Sequence, residues 1–171
     1  LNFSVFAADL LALMGHLQIA KAHLLGFSDG GNLALTFALA HPERVQSLIL
    51  NGANLNPGGV KLSTQLPIVL GYGCCRLLSP FSHKARQNGA VLGLMVNHPH
   101  IPPQALAALT MPALVIVGER DMIRDRHSQL IARSLPNAQF VRIPGGDHFC
   151  AAKCPEVFNH AVLSFLQNLP A

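Results

Sequence analysis

An apolar run, Leu24-Leu25, ends in Gly26-Phe27-Ser28-Asp29-Gly30-Gly31 and passes directly into residues of helix-forming character; no other stretch constrains the fold as strongly. A strand that turns this sharply into a helix holds its serine in a strained backbone conformation with the hydroxyl above the sheet, the form of a nucleophile elbow. Gly26 and Gly30 flank Ser28. Side chains at both are expected to collide with strand and helix, so bulk at either site should break the turn. The amide of Asp29, first in the helix, is expected to point into the same space and donate to an oxyanion, assisted by the positive end of the helix dipole.

The rest of the chain supplies strands and helices in alternation. Ser4 is placed to cap a helix running to about Leu17, with Phe6, Leu10, Leu13, Met14 and Leu17 as its buried stripe. Ala22 to Gly26 reads as a strand, Asn32 to Ala40 as a helix stopped near His41-Pro42, and Val45 to Leu50 as a second strand followed by the loop Asn51-Gly52-Ala53-Asn54. Further on come a strand from Ala113 to Val117 ending in Gly118-Glu119-Arg120-Asp121, a helix from about Arg126 to Ser134, a strand from Ala138 to Ile143, the loop Pro144 to Phe149, and a helix from Pro155 to Leu169. Strands joined through helices run parallel, so the expectation is an α/β fold with a mostly parallel sheet flanked by helices. From Leu55 to Met111 glycines and prolines interrupt short helical pieces and no strand is convincing. An insertion of that length is expected to be a cap or lid over a site, with residues 1–54 and 112–171 as the core.

At 171 residues, with 50% hydrophobic and 12% charged, the chain is one domain's worth and can bury a sizeable core. The 12 Lys+Arg against 8 Asp+Glu give +4, but the basic residues are scattered, apart from Arg120, Arg124 and Arg126 around one loop. With one Tyr and no Trp there are no aromatic platforms, so no nucleic-acid partner is expected. No apolar run reaches the roughly 18 residues of a membrane span. The segment from Leu1 to Leu17 lacks a basic start and carries Asp9, which fits an amphipathic helix better than a signal peptide. No membrane partner is expected, and the cytoplasm is the expected location. Cys74, Cys75, Cys150 and Cys154 form no zinc pattern, so reduced thiols, no metal and no cofactor are expected.

Parallel strands share one carboxyl edge, where such sheets bind ligands. Ser28, Asp121 and His148 each lie just past the carboxyl end of an expected strand. A serine becomes a nucleophile when an imidazole can take its proton and an acid orients that imidazole, and the order Ser, Asp, His is the one the elbow predicts. Asp121 is the favoured acid; Asp125 and Glu119 remain alternatives, and Asp147, adjacent to His148, is a poorer one. His98 and His100 read as surface residues rather than ligands.

These motifs together, with Ala40-His41-Pro42-Glu43-Arg44-Val45, Val117-Gly118-Glu119-Arg120-Asp121 and Ile143-Pro144-Gly145-Gly146-Asp147-His148-Phe149, resemble the α/β-hydrolase family over nearly the whole chain. The resemblance implies Ser28 as nucleophile, His148 as general base and acid, Asp121 as orienting acid, and residues 55–111 as the cap. It implies a serine hydrolase for a small ester or related acyl substrate. Ser-Asp-Gly-Gly is similar to the elbow of esterases that cleave amino-acid esters, and Phe27 and Asp29 beside the nucleophile are the expected substrate contacts. Members carry further strands before the elbow, whereas this chain opens with Leu1 in the preceding helix. On that ground it reads as the carboxyl-terminal portion of a hydrolase, with a partial sheet, no second oxyanion donor, and an apolar Ala22-Gly26 edge through which it is expected to self-associate. A catalytically inactive fragment or binding protein is the alternative; carbon-carbon bond hydrolysis or haloperoxidase-like chemistry ranks below both.

Overall fold

The computed structural model describes residues 1–169, so the last two positions of the expected core segment lie outside the described residues. Four strands, β1 (Ala22–Phe27), β2 (Val45–Asn51), β3 (Ala113–Gly118) and β4 (Ala138–Ile143), form one parallel sheet in the order β1-β2-β3-β4. A sheet that grows in one direction through parallel crossovers of one hand carries its connecting helices on one face. Those helices are α2 (Asp29–Ala40) and α5 (Asp125–Ser134), and α1 (Phe3–His16) packs alongside α2. The other face is covered by α6 (Cys150–Lys153) and α7 (Pro155–Gln167).

Strand alternation divides the core accordingly. Leu48, Leu50, Ala113 and Val115 face α1, α2 and α5, while Ile49, Leu114 and Ile116 face Phe158, Val162 and Phe165 of α7. Every residue of β3 is buried, as expected of a central parallel strand. The strand β1 forms an edge of the sheet, with Leu25 and Phe27 exposed.

Helix α1 differs from expectation. Its cap is Asn2, whose side chain accepts from the Ser4 amide, so the helix starts one residue before Ser4. The buried residues are Phe3, Ala7 and Met14, with Leu10 and Leu11 partly covered, and Leu13 and Leu17 face solvent. A run apolar on several faces does not reveal which stripe packs.

Between β2 and β3 lie two longer helices, α3 (Leu62–Leu78) and α4 (His83–Asn97), packed against each other as a hairpin. Leu55, Ile101, Leu106 and Leu109, at the two ends of the connection, insert into the core. The part that stands over the sheet edge is therefore the α3–α4 hairpin and its short approaches. Among the described residues no helix is long and apolar enough to cross a membrane.

Candidate active site

Ser28 sits between β1 and α2 with φ 54° and ψ −120°, a left-handed conformation that a serine adopts only under constraint. Its amide donates to Asn51 of the neighbouring strand at 2.8 Å, and its carbonyl accepts from Gly31 and Asn32 of the first helical turn. The glycine requirement is partly other than expected. A Cβ at Gly26 would lie 2.2 Å from the Gly30 carbonyl oxygen, and one at Gly31 would lie 2.8 Å from the Ala53 Cβ. A Cβ at Gly30 meets nothing within 4 Å, because residue 30 points away from the strand and residue 31 toward it. Thus Gly26 and Gly31, not Gly30, allow the close approach.

His148 arrives on the loop after β4 and is buried. Its Nδ1 lies 2.8 Å from Asp121 Oδ1 and its Nε2 lies 3.0 Å from Ser28 Oγ. A carboxylate only accepts, so the proton is on Nδ1 and Nε2 is left to accept from the serine hydroxyl. Asp121 Oδ1 also accepts from the Ile123 amide at 2.9 Å, and the Asp121 carbonyl accepts from Lys61 Nζ. Asp121 Oδ2 is buried without a partner among the described residues. The Gly118 position brings the two loops together, since a Cβ there would lie 2.2 Å from the Asp147 carbonyl oxygen.

The competing acids lie elsewhere. Asp125 is on the surface, paired with Arg142 and accepting from Gln129. Glu119 accepts from the Gly145 amide, which tightens the histidine loop from outside. Asp147 is half-buried at the loop surface; the Lys153 ammonium that donates to it and the Phe149 amide hold its carboxyl below the usual value.

The Asp29 amide opens α2 and has no acceptor among the described residues. Its side chain borders a cleft beside Ser28, together with Asn54, Gln65, Ile68, Met95 and His98. Burial pushes the Asp29 carboxyl above its usual value, while the Asn32 side chain, 3.2 Å away, and the charge of His148 pull it back. The Phe27 ring packs against the imidazole, its centroid 4.9 Å from that of His148.

Several site residues carried no signal in the sequence. Asn32 and Asn54 exchange two hydrogen bonds, 2.8 and 3.0 Å, that tie the β2 loop to the start of α2. His127 Nε2 accepts from the Leu55 amide at 2.9 Å, and burial, reinforced by Arg124 and Arg126, lowers its pKa. His98, expected on the surface, is half-buried at the cleft. Only the apolar-polar pattern around the loop after β2 could have drawn attention to Asn54; the others depend on how the hairpin folds back.

The family description "alpha/beta hydrolase fold" matches residues 1–73, which include the elbow. The chain is 28% identical over 189 residues to "Putative carbamate hydrolase RutD" of Caulobacter sp. (strain K31), covering 94% of this chain and 70% of that protein. It is 30% identical over 195 residues to the 2-hydroxy-6-oxononadienedioate/2-hydroxy-6-oxononatrienedioate hydrolase of Cupriavidus pinatubonensis, covering 93% and 66%. Among solved structures, the meta-cleavage product hydrolase of Pseudomonas fluorescens superimposes with a TM-score of 0.75 at 22% identity, over 98% of this chain and 72% of that one. Sequence, sheet and similarity therefore converge: the chain belongs to the α/β-hydrolase family and is an enzyme of the hydrolase class.

Proposed function

We propose that the protein is a serine hydrolase that cleaves a small carboxylic ester or related acyl substrate through an acyl-enzyme. The observation that carries this reading is the unbroken chain from Ser28 Oγ through His148 to Asp121, at 3.0 and 2.8 Å. Ser28 Oγ attacks the carbonyl carbon as its proton passes to His148 Nε2, and the imidazolium formed is stabilised by Asp121. The oxyanion is held by the Asp29 amide, a donor fixed before the reaction begins. Collapse expels the alcohol, which takes the proton from His148. Water then gives its proton to the same nitrogen and attacks the acyl-serine, releasing the acid and restoring the hydroxyl.

The α3–α4 hairpin acts as the cap that shapes the acyl pocket, with Phe27 and Asp29 as substrate contacts. A carboxylate at the pocket wall suits a substrate amine. An Asp29→Asn variant should lose more activity on amino-acid esters than on neutral esters, and equal losses would leave Asp29 only its place at the helix start. A cytoplasmic setting belongs to the same reading, supported by four free thiols. The 30% identity to the 2-hydroxy-6-oxononadienedioate/2-hydroxy-6-oxononatrienedioate hydrolase makes carbon-carbon bond hydrolysis the second reading for this triad.

Labelling with a fluorophosphonate, followed by peptide mapping, tests the nucleophile. The adduct is expected on Ser28 and is expected to vanish in Ser28→Ala. An adduct on Ser128 or Ser134, or none in the folded protein, overturns the assignment.

A further inference from the structure

The α3–α4 hairpin turns its apolar side outward. No residue of α3 is buried, and Leu62, Leu66, Val69, Leu70 and Leu77 are all exposed. At about 100° per residue these positions fall on one side of the helix, so they form a stripe along its 17 residues. The stripe ends in the turn between the helices, where Leu77 is 78% and Phe81 88% exposed and Leu78 is exposed beside them. Singly exposed apolar residues are ordinary, but a continuous stripe on a helix signals a surface to be covered.

Charge indicates what covers it. Between Glu43 and Glu119 the chain contains no Asp or Glu, while Arg76, Lys84 and Arg86 gather around the turn. All three are exposed. A second copy meeting this face symmetrically would bring like charges together with no acid to offset them, whereas an anionic surface offsets all of them at once. An apolar stripe edged with basic residues is the arrangement of helices that lie in a membrane interface.

We propose that the tip of the α3–α4 hairpin docks on an anionic membrane surface. Leu77, Leu78 and Phe81 enter the headgroup region, and Arg76, Lys84 and Arg86 meet the lipid phosphates and carboxylates. The sequence expectation of no membrane partner rested on the length of apolar runs, which governs spanning and not adsorption to one leaflet. The proposal does not depend on the nature of the hydrolysed bond.

Cosedimentation with vesicles tests it, comparing phosphatidylcholine alone with an equal mixture of phosphatidylcholine and phosphatidylserine. The protein is expected to pellet with the mixed vesicles and to be released by salt. Replacing Lys84 and Arg86 by Gln should weaken binding roughly 25-fold, about five-fold for each cation. Leu77→Ser combined with Phe81→Ser should abolish binding while leaving the circular-dichroism melt unchanged, since the replaced side chains touch little. Equal binding to both vesicle types, binding to neither, or folded variants that bind like the parent would overturn the proposal. So would sedimentation velocity showing a dimer that the Leu77→Ser/Phe81→Ser variant splits, which would give the face to a second copy.

Discussion

Gly52 stands directly against the imidazole of His148: a Cβ at residue 52 would lie 2.8 Å from Cε1 and 2.9 Å from Nδ1. The same position has φ +63°, so a side chain there is strained as well as obstructed. The loop that follows β2 thus forms a backbone wall that fixes where the imidazole can be. Gly52→Ala should push the ring off the Ser28-Asp121 line, and a displacement of about 1 Å is worth on the order of 10²-fold in rate. The check is kcat on a simple ester beside a thermal melt. A large stability loss with kcat per folded molecule retained would show that the glycine serves the turn alone.

The acid can be assigned by comparison. Asp121 is buried with Oδ1 on His148 Nδ1, whereas Asp125 is occupied at the surface by Arg142 and Gln129. Asp121→Asn favours the wrong imidazole tautomer and should lower kcat by about 10⁴. Asp125→Asn should leave kcat within a factor of two or three, because an exposed ion pair is worth only about 0–1 kcal/mol. The reverse ranking would move the role to Asp125.

What could be read in the sequence was whatever depends on chain order. Ser28, Asp121 and His148 each follow a strand, and parallel strands must bring such positions to one edge, so their meeting followed from topology. Rotation about a helix axis was less legible. At the elbow, two adjacent glycines left open which one faces the strand, and the structure selects Gly31 over Gly30. In α1, a run apolar on several faces hid which stripe packs, and the structure buries Phe3, Ala7 and Met14. The His127-Leu55 contact joins positions 72 residues apart and has no local signature at all.

The two elbow glycines should behave oppositely. Gly26→Ala forces a Cβ against the backbone at 2.2 Å and should prevent folding or cut the melting temperature sharply. Gly30→Ala meets no neighbour within 4 Å inside α2 and should stabilise by up to about 1 kcal/mol, the helix preference of Ala over Gly. Melting curves of both variants decide it. A destabilised Gly30→Ala would restore the requirement expected from the sequence.

The β1 edge gives a prediction about association. Leu25 is 53% exposed on a strand paired on one side by β2, and an apolar unpaired edge invites another chain. Light scattering should show concentration-dependent self-association that Leu25→Lys reduces, while Phe81→Ser on the distant hairpin leaves it unchanged. A monomer at all concentrations would remove the edge from consideration.

His127 should set the acid limit of stability. It is buried, and Nε2 accepts from the Leu55 amide, so the folded state requires the neutral ring. Burial, then Arg124 and Arg126, hold its folded pKa below the ordinary 6.5. With the folded value depressed, the unfolded chain binds the proton first as pH falls. The contribution is therefore complete well above pH 6.5, begins to decline as pH drops through 6.5, and is lost by the time the folded value is reached. Protonation would also turn the acceptor into a donor facing the Leu55 N–H, loosening the point where the chain leaves the core for the hairpin. The melting temperature should fall between pH 7 and pH 5, and His127→Gln, whose amide oxygen accepts without titrating, should flatten that fall. Parent and variant curves of identical slope would assign the acid sensitivity to another group.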